Sequence, residues 1–157
     1  MALLWLTVYF FIWTLMIYTT HRAAHTFPPL WYLHKAHHEV AYEGDWEFSW
    51  WNLIGWFNDW RSTLDQWITE VIPTIILITL FPDAWPIGVF YYFDGFVLAE
   101  GITDHNPRIC LPGLSMGRYH LRHHVNTKVN FDLFTHFWDW IFGTKADPIP
   151  VPKKLRQ

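Results

Sequence analysis

The apolar positions of this chain fall into three blocks, and each block carries its own punctuation. Leu3 to Tyr18 is apolar on nearly every face, broken only by Thr7 and Thr14, with no Gly, Pro or charge. That pattern predicts a helix buried in lipid rather than an amphipathic surface helix. At 1.5 Å per residue, the stretch through Thr20 spans roughly 27 Å, just enough to cross a hydrocarbon core. The helix is expected to run on through Arg22 to His25 and to stop before Pro28-Pro29, since proline disfavours helix at the residue before it. Trp67 to Phe81 and Trp85 to Leu98 form the other two blocks, separated by Pro82-Asp83-Ala84-Trp85-Pro86. Turn residues between two apolar arms predict a helical hairpin with both ends on one side. Each arm reads as roughly 15 residues, about 22 Å of helix, and Pro73 is expected to kink the first.

Polar and aromatic residues fill the intervals. Trp31 to Val40 reads as a second short helix and Glu39 to Asp45 as a loop. Trp46 to Trp60 holds Trp46, Trp50, Trp51, Trp56 and Trp60 among polar residues, which suits an aromatic segment in the headgroup plane. Beyond about 102 come a loop, a short helix, the segment Phe131 to Phe142 and the extended run Asp147-Pro-Ile-Pro-Val-Pro152. The expected fold class is all-α: an integral membrane helical protein with a transmembrane anchor helix, a helical hairpin and a cytoplasmic histidine-rich helical cap. One membrane-embedded domain is expected over 1–145, followed by a Pro-rich basic tail over 146–157. Residues 2–18 have the length of a signal peptide. They lack a basic leader and a small-residue cleavage site, and His21 and His25 follow directly, so a retained anchor is expected.

Composition supports the membrane reading. Hydrophobic residues make up 52% of the chain and charged residues 16%, well under the roughly 25% charged of soluble domains. Mean hydropathy is +0.06, a value that understates 12 Trp and 7 Tyr, residues that concentrate at bilayer interfaces. A net charge of −3 gives no reason to expect nucleic acid as a partner. The lysines and arginines all fall outside the apolar arms, and the positive-inside rule then places them, with all ten histidines, on the cytoplasmic face.

The histidines carry the chemistry. His34, His37 and His38 read H-x-x-H-H, and His120, His123 and His124 repeat it, while His21 and His25 read H-x-x-x-H. Residues at i, i+3 and i+4 share one helix face, so each cluster aims its imidazoles at one place. Cys110 is the single cysteine, which leaves nitrogen and oxygen donors. Imidazole suits zinc, copper, iron and nickel alike. A structural zinc takes about four ligands, and eight converging histidines imply two metals. Asp94, inside the second arm, reads either as a functional intramembrane carboxylate or as a structural hydrogen-bonding group.

These residues resemble a known family. His21-Arg22-Ala23-Ala24-His25, Pro29, Trp31 and His34-Lys35-Ala36-His37-His38 are similar to the opening motifs of the fatty acid hydroxylase/sterol desaturase superfamily. His120-Leu121-Arg122-His123-His124 resembles its closing histidine box, and Asn130 with Trp138-Asp139-Trp140-Ile141-Phe142-Gly143-Thr144 resembles its C-terminal signature. The resemblance covers about residues 15 to 145. It implies an integral membrane di-iron oxygenase that hydroxylates or desaturates a lipid-like substrate, using dioxygen and an external electron donor (a ferredoxin- or cytochrome-type reductase chain). It implies metal ligation by His21, His25, His34, His37, His38, His120, His123 and His124. His105, in Asp104-His105-Asn106-Pro107, resembles the family's middle histidine, although Gly101 and Ile109 stand where a second histidine would lie. A tenth ligand would then be Asp104, Glu100, His136 or water, with His136 expected instead on a helix surface. Glu39, Glu43, Asp45, Asp104 and Asp139 are the acidic residues near enough in sequence to orient the imidazoles. The chain lacks the extra apolar segments that commonly precede the first box, so the family's usual four-crossing topology does not carry over directly and the number of crossings stays open. Hydroxylation is favoured slightly over desaturation. A histidine-rich metal-binding or transport protein without redox chemistry and a membrane protein with a zinc staple are the competing classes.

Overall fold

The computed structural model describes residues 1–40 and 47–151. Among these the architecture is all-helical, and an isolated Leu114–Thr135 bridge is the sole sheet-like pairing. Helix α1 is Ala2–Ala24, and His25 caps it just ahead of the two prolines. Helix α2 is Pro28–His38, three residues earlier in its start than the sequence suggests. The reason is that a proline at the first helical position loses nothing, because its missing N–H has no partner there anyway.

The hairpin is present, with unequal arms. Helix α3 runs from Trp60 to Leu80 as 21 continuous residues, not roughly 15. Asp59 starts it early by accepting the Ser62 N–H at 2.8 Å. About 31 Å of helix is enough for a full crossing. Pro73 does not end this helix. A π-helical turn, Trp67–Val71, precedes it, and the Thr69 carbonyl accepts the Thr20 hydroxyl of α1 at 2.5 Å. A short 3-10 turn, Pro82–Ala84, leads into α4 (residues 85–98), α-helical over Trp85–Tyr91 and π-helical over Tyr92–Leu98. Two short helices follow: α5, Arg118–Val125, and α6, Phe137–Ile141. The segment 130–136, ahead of α6, is irregular.

Trp13, Ile17, Leu77, Tyr91, Leu133 and Phe134 form the buried core where α1, the hairpin and the C-terminal segment meet. Polar ties cross it: Trp13 donates to Thr74 at 2.8 Å, and Trp138 donates to Thr14 at 3.0 Å. Outward-facing Leu3, Leu4, Ile75, Ile76, Leu80 and Phe93 remain exposed. So much uncovered apolar surface on long helices suits lipid as the solvent, and the chain is a helical membrane protein. The aromatic segment splits by role, for Trp50 is 81% exposed while Trp56 is 3% exposed and packs inside. Trp46, Glu43 and Asp45 lie outside the described residues.

Candidate metal centre

Helical periodicity aims each box inward, and packing brings the boxes together. α1 ends in His21 and His25, α2 carries His34, His37 and His38, the turn after α4 carries His105, and α5 carries His120, His123 and His124. Their side chains form two sets. His21, His25, His34, His38 and His123 have donor atoms within 4.8 Å of one another, and so do His37, His105, His120 and His124. The sets touch, with the His38 and His124 rings stacked at 4.1 Å and those of His34 and His37 edge to face at 4.4 Å.

Hydrogen bonds behind the rings decide which nitrogen faces inward. The carbonyls of Phe131, Val129 and Ala99 accept from Nδ1 of His21, His123 and His105 at 2.7, 2.8 and 2.9 Å. A carbonyl can only accept, so each of these rings holds its proton on Nδ1 and turns a bare Nε2 inward. His21 Nε2 then faces His123 Nε2 at 3.1 Å, lone pair against lone pair. His25 Nε2 lies 2.8 Å from the same atom, and His105 Nε2 lies 3.1 Å from that of His120. Two donors held about 2.1 Å from one ion sit about 3.0–3.4 Å apart. The donor set therefore fits a cation in each cluster.

Electrostatics agree. Burial, reinforced by neighbouring imidazoles, lowers His25 to about 2 and His38 to about 3, and burial lowers His105 to about 4. His34, His37, His120, His123 and His124 are likewise lowered well below 6.5, burial being the main cause. All are neutral near pH 7, as metal binding requires. The unfolded chain takes up these protons near pH 6.5 and the folded protein only lower, so stability rises with pH through that window. The histidine contribution to the stability of the metal-free protein is expected to be complete above about pH 6.5 and to fade toward pH 4 and below. Thermal unfolding in detergent across that range checks this, and a flat profile would mean solvated rings.

Several sequence expectations are corrected here. Among the described residues, the orienting groups are backbone carbonyls and one carboxylate outside the expected five, Asp65. Its Oδ2 lies 2.8 Å from Nδ1 of His34 and 3.5 Å from Nδ1 of His37. Asp139 touches no ligand; it accepts the Phe131 and Asp132 N–H groups at 2.8 and 3.0 Å and the Thr144 hydroxyl at 2.7 Å. Asn130, at φ 54°, accepts from Ala146 at 2.7 Å and donates to Tyr119 at 2.9 Å. The C-terminal signature thus works as a bracket that presents two carbonyls to His21 and His123. Glu39 is exposed beside Lys35 at 3.7 Å.

Asp104, Glu100 and His136 join neither histidine set among the described residues. Glu100 instead accepts from Asn52 and from the Phe57 N–H. It thereby holds Phe57 and Asn58 at φ 54° and 50°, a left-handed pair that needs such support. The Phe57 ring packs on His105 at 5.2 Å. His136 is not on a surface. It is 6% exposed, lies 3.2 Å from Ser115 Oγ and packs at a tilt on Tyr119 at 4.1 Å, because the segment ahead of α6 folds back over α5. Asp94 is buried in α4.

The profile of the fatty acid hydroxylase family matches residues 6–144. The chain belongs to the fatty acid hydroxylase family. Two curated relatives are similar to it. One is a Delta(7)-sterol-C5(6)-desaturase of Nicotiana tabacum, 26% identical over 148 residues, covering 94% of this chain and 51% of the relative. The other, from Arabidopsis thaliana, is described as a putative Delta(7)-sterol-C5(6)-desaturase 2 and is 24% identical over 162 residues, covering 100% and 53%. The chain therefore spans about half the length of the curated relatives it matches. No solved structure matches it.

Proposed function

We propose that the chain is a membrane-bound di-iron oxygenase that oxidises a C–H bond of a lipid-like substrate, with its histidines on the cytoplasmic face. The observation that carries this reading is the pair of adjoining histidine sets, each with unprotonated Nε2 atoms turned inward. His21, His25, His34, His38 and His123 would hold one iron, and His37, His105, His120 and His124 the other. Bound there, the irons would supply activation of dioxygen and removal of hydrogen from an unactivated C–H bond.

The chain's own residues do the rest. Carbonyls of Phe131, Val129 and Ala99 fix the tautomer and orientation of their rings. Trp31 and Phe131 pack on one set, at 5.0 and 5.5 Å from His25, and Trp56 and Phe57 pack on the other, at 5.8 and 6.1 Å from His37. These rings limit water at the centre and strengthen the electrostatics inside it. An apolar groove of about 500 Å³ opens on the outer face between α3 and α4, with Tyr91 and Phe96 among its lining. The neighbouring Gly95 carbonyl accepts the Trp56 indole N–H at 2.6 Å. An apolar chain in this groove would lie one aromatic layer from His37 and His105.

Hydroxylation converts R–H, dioxygen, two electrons and two protons to R–OH and water. The electrons are assigned to a separate redox protein. Desaturation is the second reading, favoured by the activity for which the plant relatives are named. It begins with the same hydrogen removal and differs in where the substrate is held. Lipid extracts of a host expressing the chain test both. A new species heavier by one oxygen is expected for hydroxylation, or lighter by two hydrogens for desaturation, and either must vanish without dioxygen. Unchanged lipids in an aerated, iron-replete host with a compatible electron donor would count against oxygenase activity.

A further inference from the structure

Asp65 is 2% exposed, and no Lys or Arg among the described residues pairs with it. A buried carboxylate without a cation is costly, so its surroundings decide what it can do. Those surroundings are histidines. One oxygen, Oδ2, lies 2.8 Å from Nδ1 of His34 and 3.5 Å from Nδ1 of His37. His34 belongs to the five-histidine set, where its Nε2 lies 3.0 Å from that of His38, and His37 belongs to the four-histidine set. A single carboxylate oxygen therefore backs a ring from each side of the centre. The rear carbonyls of Phe131, Val129 and Ala99 differ on both counts, for they are backbone groups and each serves one ring.

We propose that Asp65 couples the two sets, so that two divalent ions load as a pair. The inference rests on the reading of both sets as metal positions. Two dications placed side by side repel, and without compensation the second would bind more weakly than the first. An ion on His34 Nε2 draws density from the ring and makes Nδ1–H a stronger donor to Asp65. It also holds the carboxylate aligned through that stronger bond. His37 then finds its rear acceptor already in place, and the second ion meets an oriented ligand. By linkage the same help runs the other way, whichever ion arrives first. Asp65 is a positioning residue in this scheme, since it touches ligands rather than ions. Its place on α3 is secured from the N-terminal side by Asp59, which accepts the Ser62 N–H and hydroxyl at 2.8 and 2.9 Å.

Cobalt(II) titration of the metal-stripped full chain in detergent tests this, with native mass spectrometry counting ions and absorption bands reporting coordination. Equal independent sites would leave half of the protein in the one-cobalt form at half-saturation. Wild type is expected to keep that form a minor species and to pass from none to two. Asp65→Asn is expected to accumulate it, with the second cobalt bound about 10–100-fold more weakly, and Asp65→Glu is expected to restore most of the paired uptake. Dominance of the one-cobalt form in wild type, or paired uptake by Asp65→Asn, overturns the proposal. The wild-type arm decides alone should the Asn variant fail to fold. Two cobalts bound independently refute the coupling and leave the oxygenase reading standing, whereas uptake of a single cobalt refutes both.

Discussion

Replacing His123 with alanine is expected to abolish turnover and to empty the five-histidine set while leaving membrane insertion intact. His123 is the hub of that set: its Nε2 lies 3.1 Å from that of His21 and 2.8 Å from that of His25. Losing a group that merely supports a ligand costs about 10–100-fold in metal affinity or activity, and removing the ligand itself should exceed that. The same ring is tied from behind by Val129 and packs on Phe131 at 5.3 Å, so alanine also leaves a hole beside His21. The helices that insert carry none of these contacts in their lipid-facing halves, which is why insertion should survive. Iron content and activity of the purified variant check the prediction, and full activity would contradict the ligand role. His136→Ala is the contrasting case. Its loss should lower stability, since the ring is buried on Tyr119, yet the iron content should match wild type.

Gly117→Ala is expected to be nearly as damaging, though the residue carries no chemistry. Gly117 caps α5 at φ 65° and ψ −127°, a conformation that is essentially reserved for glycine. An added Cβ would meet the Ile109 carbonyl oxygen at 2.4 Å, and that atom is backbone. The Gly117 N–H donates to the Asp104 carbonyl at 3.0 Å, beside His105, and its own carbonyl accepts from Leu121 at 2.8 Å. Displacing it therefore shifts His105 relative to His120, His123 and His124 together. A loss of several kcal/mol is expected from the backbone strain and the clash. Thermal unfolding and metal content check it, and a variant with wild-type values of both would show that this junction does not hold the sets in register.

The boxes were legible because a ligand face on a helix is written in spacing that survives folding unchanged. The hairpin was legible because its punctuation, Pro82 to Pro86, is local. What the sequence hid is what packing creates. Asp65 stands 31 residues from His34, between the aromatic segment and the first apolar arm, and only the docking of α2 against α3 makes it an acceptor. The rear carbonyls were hidden for a different reason, since every residue has one and position alone selects Phe131, Val129 and Ala99. Asn130 and Asp139 drew notice through the signature, but their work is to shape backbone, not to touch a ring. His136 looked like a surface residue because its position is not usually histidine in the signature, while its burial comes from Tyr119 on another element. The length of α3 was underestimated because Trp60 to Gln66 is too polar to join an apolar block, although Asp59 caps it as a helix.

The central claim is that both histidine sets hold iron at once. Counting iron per chain in protein purified from an iron-replete host tests it most directly. The account predicts about two irons per chain, as a binuclear centre requires. A single tightly held zinc without iron would contradict it.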